Sequence, residues 1–224
     1  MYFQKTLKKF DALSVREAHN IKNLEDLHLK SLVVPDPSML LTKAEYEKLI
    51  DLSVKNKEIH RTKSDNKIRT KSLFVYMLGN ETTINKDDLM NFLHKDNEII
   101  YTNANIDFSC ASDFTNDFAP TPEEWLLCVK ECKMLITNSF HGVSYALLMN
   151  TPFVALKLGG GAALMNTRFE QILHIVNLQK RLVENVKDLQ KQMDEPINWD
   201  FVNEKLKNWR TVGVEFLDSH LKDE

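Results

Sequence analysis

The sequence predicts an α/β fold, a parallel sheet with helices on both faces and further helices closing the chain. Three stretches predict it. Met134–Leu158 reads as strand, tight turn, helix, loop and strand. Two buried strands joined through a helix form a βαβ unit, and such units build parallel sheets. Leu73–Leu78 is an uninterrupted apolar run ended by Gly79-Asn80, as expected of a buried strand. Between them, Thr121-Pro122-Glu123-Glu124 opens a helix with a threonine cap, a proline in the first turn and a glutamate three residues after the cap.

Composition narrows the functional classes. The chain has 224 residues, 43% hydrophobic and 27% charged, enough for one sizeable domain or a domain plus a fragment. Its net charge of −3 gives no basic field for nucleic acid. Cys110, Cys128 and Cys132 are too few for a disulfide framework, which fits a reducing compartment. Cys128 and Cys132 share a predicted helix face; they are either small buried residues or half of a metal site that lacks further ligands. No apolar run approaches the ~20 residues that span a bilayer, and Met1–Lys5 has no signal-peptide core. The expectation is a cytoplasmic protein, either free or peripheral at the inner membrane face, with no transmembrane segment, cofactor or metal.

The elements follow in order. Met1–Phe10 alternates apolar and basic residues as a short amphipathic helix does. Ala12, Leu13 and Val15 form a strand with Arg16-Glu17 at its end. Ala18–Leu29 places Ile21, Leu24 and Leu27 at helical spacing. Leu32–Val34 is a small strand stopped by Pro35-Asp36-Pro37. Thr42 and Glu45 are spaced as a capping box for a helix over 42–52. Ser53–Lys71 is a charged loop. Its Arg61, Lys63, Lys67, Arg69 and Lys71 are read as solvated or as a contact for an anionic partner. Asn85–Lys95 is helical, Glu98–Tyr101 is a strand, and Thr102–Phe118 is an irregular loop whose Asp107, Asp113 and Asp117 lack a calcium-loop spacing. After Leu158, Gly159–Gly161 forms a lid, a linker or a phosphate cradle. Asn166 or Thr167 caps a helix striped by Phe169, Ile172, Leu173 and Val176. Leu178–Val183 is a connector. Lys187–Met193 and Trp199–Leu221 are closing helices, the second burying Phe201, Leu206, Trp209, Val212 and Phe216.

Chemistry concentrates at Asn138–Gly142. In an open parallel sheet, ligands sit outside the carboxyl ends of the strands. There Asn138-Ser139-Phe140-His141-Gly142 joins a strand to a helix, so backbone N–H groups at the helix start suit a phosphate or carboxylate. His141 can carry a proton at neutral pH, hold an anion when protonated, or only stitch the turn. Arg168 lies in the first turn of its helix, where the dipole disfavours a cation. Either it holds an anion or it closes an ion pair.

Thr137-Asn138-Ser139-Phe140-His141-Gly142, followed by Asn150-Thr151-Pro152-Phe153, resembles the carboxy-terminal signature of the polysaccharide pyruvyl transferase family. Phe10-Asp11-Ala12-Leu13-Ser14-Val15-Arg16-Glu17 and Val34-Pro35-Asp36-Pro37-Ser38-Met39-Leu40-Leu41 are similar to a pattern near the end of that family's first domain. Glu131–Thr137 and Asn166–Leu173 resemble two further segments. The resemblance implies a Rossmann-like sheet forming one half of a GT-B two-domain fold. Residues 1–41 would then be a remnant of the first domain, 42–71 a helix and linker, and 72–224 the second domain with its closing helices. On that expectation about a hundred residues or more of the first domain are missing.

The implied reaction is pyruvyl transfer from phosphoenolpyruvate to a sugar hydroxyl of a cell-surface polysaccharide. Its partners would be phosphoenolpyruvate and a glycan or lipid-linked sugar acceptor. His141 is the candidate acid. Arg16, Ser139, Gly142 and Arg168 are candidates for substrate binding. Arg16 has a simpler alternative, an ion pair with Glu17. Ser139 stands where one branch of the family has arginine, and Asn138 where many members have aspartate; an asparagine can still orient His141 by hydrogen bonding. Two alternatives keep the same sheet: a non-catalytic remnant or partner-dependent binding subunit, and a GT-B-like glycosyltransferase using a nucleotide sugar. An incomplete first domain would also leave an edge for a homo-oligomer, or for a partner that supplies the missing part.

Overall fold

The computed structural model describes residues 2–55, 70–104 and 120–221. The first part carries helix α1 (Tyr2–Leu7), strand β1 (Ser14–Val15), α2 (Asn20–Glu25), β2 (Leu32–Val33) and a 3-10 turn at Pro37–Met39. β1 and β2 pair in parallel as a separate two-stranded sheet. α3 (Lys43–Lys55) then leads to β3 (Leu73–Met77), α4 (Lys86–Leu93), β4 (Ile99–Asn103), α5 (Pro122–Glu131) and β5 (Met134–Thr137). α6 (Phe140–Met149), β6 (Phe153–Leu156), a 3-10 segment at Gly160–Met165 and α7 (Asn166–Ile175) follow. A 3-10 turn at Gln179–Arg181, β7 (Leu182–Val183), α8 (Val186–Asp194) and α9 (Trp199–His220) complete the chain.

The main sheet has the order β4-β3-β5-β6-β7, and every pairing is parallel. Its strands are apolar on both faces because both faces are covered. Phe74, Leu135, Phe153 and Ala155 turn to one side, against α5, α6, α7 and α9. Leu73, Val75, Met134, Ile136, Val154 and Leu156 turn to the other, against Leu89, Met90 and Leu93 of α4 and Leu189 of α8. This is the predicted α/β class, a parallel sheet with helices on both faces and closing helices at the carboxyl end.

Most expected helix starts hold, and their caps show why. Thr121 and Glu124 form the reciprocal capping box, with Glu124 N donating to Thr121 Oγ1 at 3.3 Å and Thr121 N to Glu124 Oε2 at 2.9 Å. Thr42 and Glu45 make the same exchange at 2.6 and 3.4 Å. Asn150, at φ 59, ends α6 in the left-handed conformation that asparagine tolerates.

Other expectations need correction. Leu178–Val183 is not a plain connector: Leu182–Val183 is the edge strand β7, too short to show any alternation. Ser53 is not in a loop but buried within α3, which runs to Lys55. The glycine stretch is ordered into a 3-10 segment. No side chain caps α7; Asn166 turns back instead, accepting from Leu158 N and donating to Leu158 O, each at 2.9 Å. In α9 the buried residues are Val202, Leu206 and Gly213, while Phe201 is 37% exposed. Leu206 is buried as expected and Trp209, Val212 and Phe216 are half-buried, while Val202 takes the place expected of Phe201. The expected loop acids Asp107, Asp113 and Asp117, the cations Arg61, Lys63, Lys67 and Arg69, and Cys110 lie outside the described residues.

Gly213 explains how the first forty residues meet the main sheet. A Cβ there would lie 2.7 Å from Leu40 Cδ2 and 2.9 Å from Pro35 Cγ. Glycine therefore lets α9 lie directly on the segment after β2, where Arg210 Nε also donates to Met39 O at 3.1 Å.

Candidate active site

The site grows from the end of β5. The chain leaves β3 for β4 on one side, then crosses back to β5 on the other, which makes the carboxyl ends of β3 and β5 the topological switch point. Three local bonds set the turn there. Ser139 N donates to Thr137 Oγ1 at 3.0 Å, Gly142 N donates to Ser139 Oγ at 3.2 Å, and Val143 N donates to Ser139 O at 3.1 Å. Ser139 is thus the N-cap of α6, so the helix begins three residues before the expected Val143. Gly142 backs onto Thr137, whose Oγ1 would lie 2.7 Å from an added Cβ. Ser139 and Gly142 are both buried, and the Ser139 hydroxyl and the Gly142 N–H are bonded to each other. His141 is carried outward in the first turn of α6, with a side chain 54% exposed.

Asn138 does not orient His141. It is buried and bonds Leu78 instead, accepting from Leu78 N at 2.7 Å and donating to Leu78 O at 3.1 Å. This closes the gap between β3 and β5. The charge beside His141 comes from Asp36, which sits between two prolines after β2. Asp36 Oδ1 lies 3.8 Å from His141 Nε2, and Asp36 Oδ2 pairs with Arg16 NH1. Asp36 is 4% exposed. Its Oδ1 also accepts from Ser38 N at 3.0 Å and from Ser38 Oγ at 2.7 Å. Burial alone would raise this carboxyl. The Ser38 hydrogen bonds and the Arg16 guanidinium outweigh it and hold the group below the usual carboxylate value.

Arg16 and His141 are therefore brought together through one carboxylate. Arg16 also lies over the ring of Phe140, 5.9 Å from its centroid, and 3.9 Å from Glu17. Arg168 reaches the same place from α7. Its Nε makes a close ion pair with Glu17 Oε1 at 2.8 Å, rather than an aligned hydrogen bond. That resolves the unfavourable placement of a cation at a helix start: Glu17 supplies the counter-charge. His19 Nε2 is 3.7 Å from Glu17 Oε2. Two guanidiniums face two carboxylates, so surplus positive charge arrives when His141 or His19 is protonated. The space between Arg16, Glu17, Asp36, Phe140 and Arg168 is about 10 Å³, room for one water at most. A larger cleft of about 370 Å³ lies between Val15, Val34, Pro35 and Phe216, is mostly apolar, has Arg16 on its wall and does not include His141.

Sequence reasoning found His141, Arg16 and Arg168, and named Glu17 as an ion-pair partner of Arg16, but found neither Asp36 nor Gln171. Asp36 stood inside a quoted motif, yet a proline-flanked aspartate reads first as a strand stop. Cys128 and Cys132 are both buried, and burial pushes the Cys132 thiol up to about 12, which disfavours a metal-binding thiolate. Among the described residues, no helix is long and apolar enough to cross a membrane.

No curated protein matches the chain. A family model described as polysaccharide pyruvyl transferase matches residues 1–158, which takes in Arg16, Glu17, Asp36, Ser139, His141 and Gly142. With β1, β2 and the β5–α6 turn converging inside that matched region, the chain belongs to the polysaccharide pyruvyl transferase family.

Proposed function

We propose that this chain carries the site for pyruvyl transfer from phosphoenolpyruvate to sugar hydroxyls of a cell-surface polysaccharide. The observation that carries the reading is Asp36, one buried carboxylate holding Arg16 and His141 side by side at the switch-point edge of the sheet. Phosphoenolpyruvate needs cationic donors for its phosphate and carboxylate. It also needs an acid to protonate its methylene carbon, which leaves C2 open to a hydroxyl. One sugar hydroxyl then adds to C2, a second displaces phosphate, and the product is a cyclic ketal plus inorganic phosphate.

In this scheme protonated His141 donates to the methylene carbon, and Asp36 stabilises the imidazolium before transfer. Arg16 holds the phosphate as it departs, with Arg168 next to it. Ser139 and Gly142 act through the turn that presents His141. The partner-dependent, non-catalytic reading draws on a separate observation: each guanidinium is already paired with a carboxylate.

Melting the chain with and without phosphoenolpyruvate separates these readings. At 100 times its dissociation constant, a ligand stabilises by about 2.7 kcal/mol. The expected result is stabilisation that is lost in His141→Ala. No shift with phosphoenolpyruvate, in the presence of a shift with a nucleotide sugar, would favour the glycosyltransferase reading. No shift with either would favour the non-catalytic one.

A further inference from the structure

α7 is hydrogen-bonded to the backbone at the end of β1 through Gln171. Gln171 Nε2 donates to Arg16 O at 2.7 Å, and Ala18 N donates to Gln171 Oε1 at 2.7 Å. The carboxamide therefore grips the backbone on both sides of Glu17. Arg168, three residues earlier on the same helix face, takes the Glu17 carboxylate itself. Within the described residues β1 is two residues long and pairs with β2, which is itself two residues long. So short a ladder fixes a backbone weakly. An arginine guanidinium ends a long flexible chain, and its reach is set by where its backbone is held. The two Gln171 bonds tie that backbone to a helix whose Phe169, Ile172 and Leu173 are buried in the core under the main sheet.

We infer that Gln171 is a positioning residue: its two-way hydrogen bond fixes the Arg16 backbone so that the guanidinium meets Asp36 beside His141, and this governs the anion affinity of the site. The anion part rests on the phosphoenolpyruvate reading; the Arg16–Asp36 part does not. A carboxamide suits the task because it offers one donor and one acceptor in a plane, as a neighbouring strand would. Alanine at this position would keep the helix, being the strongest helix former, and remove both bonds.

Two measurements on the full chain test it. The first is the coupling between Arg16 and Asp36, from a double-mutant cycle of urea unfolding with Arg16→Met and Asp36→Asn, run with Gln171 and again with Gln171→Ala. The coupling is expected to fall to half or less without Gln171. A residue that merely staples two elements would lower the stability of every member of the cycle and leave the coupling unchanged, which overturns the inference. Gln171→Glu, which keeps the acceptor for Ala18 N and loses the donor to Arg16 O, should fall between the two. The second is titration with phosphoenolpyruvate. Gln171→Ala should weaken binding about tenfold, and should have no further effect when Arg16 is already methionine. Unchanged affinity alongside a reduced coupling overturns the link to anion binding. A wild-type chain that binds no phosphoenolpyruvate removes the substrate reading, and the coupling measurement then decides the role of Gln171 alone.

Discussion

Asp36→Asn isolates the charge at the centre of the site. Asparagine keeps the shape and an oxygen for the Ser38 N–H, but it removes the negative partner of Arg16 and His141. A charge-assisted hydrogen bond contributes about 1.5–3 kcal/mol. The Arg16 side chain is 37% exposed, so solvent screening reduces the expected loss to about 1–2 kcal/mol at neutral pH. The sign with pH follows from the lowered native value of Asp36. Above the ordinary carboxyl value of about 3.9, both folded and unfolded chains carry the charge and the contribution is complete. As pH falls below that, the unfolded chain takes up the proton first. The contribution then drains away through the lowered native value. Urea unfolding of both proteins at neutral pH and in steps down to about pH 2.5 measures the gap between them. It should be about 1–2 kcal/mol at neutral pH and close toward zero at the acid end. No gap at neutral pH, or one that persists undiminished at the acid end, would refute a stabilising ionised Asp36.

Two further substitutions test the supports of the site. Gly142→Ala places a methyl 2.7 Å from Thr137 Oγ1 and 2.9 Å from Thr137 Cγ2. Overpacking costs about 1–3 kcal/mol against about 1 kcal/mol gained in helix propensity, so the melting temperature should fall; a rise would show that packing is not why glycine stands there. Arg181 is 2% exposed, and its guanidinium donates to Phe153 O at 2.8 Å and to Glu195 O. Arg181→Ala leaves those carbonyls without a partner and opens a cavity. The expected loss is about 2–4 kcal/mol by urea unfolding, tempered by relief of the burial that pulls its pKa down.

What the sequence made legible is what repeats or caps. The apolar runs at 73–78, 134–137 and 153–158 announced the central strands, because a strand covered on both faces needs apolar residues at every position. The Thr-x-x-Glu boxes announced two helices, because their reciprocal bonds are local. His141 was legible because a polar turn after a buried strand lies at a carboxyl edge. Long-range partners carried no such mark. Arg181 follows Lys180, and an exposed and a buried cation look alike in sequence. Gln171 lies inside an ordinary amphipathic helix, and its partners are more than 150 residues away.

The least legible residues share a common physical task. A parallel strand ends with backbone donors and acceptors that its neighbour does not reach, and each must be satisfied. At three strand ends carboxamides do it: Asn138 on Leu78 after β3, Asn166 on Leu158 after β6, and Gln171 on Arg16 and Ala18 after β1. Asn103 does the same for Gly79, accepting from its N–H at 3.1 Å and donating to its carbonyl at 3.4 Å. A carboxylate could only accept and an ammonium could only donate; an amide meets both needs in one plane without adding charge. The choice has an electrostatic consequence. Closing the strand ends with neutral groups keeps them from competing for Arg16, Arg168 and His141. The field at this edge is then set by the balance of those groups against Asp36 and Glu17. A single proton on His141 tips that balance toward an anion.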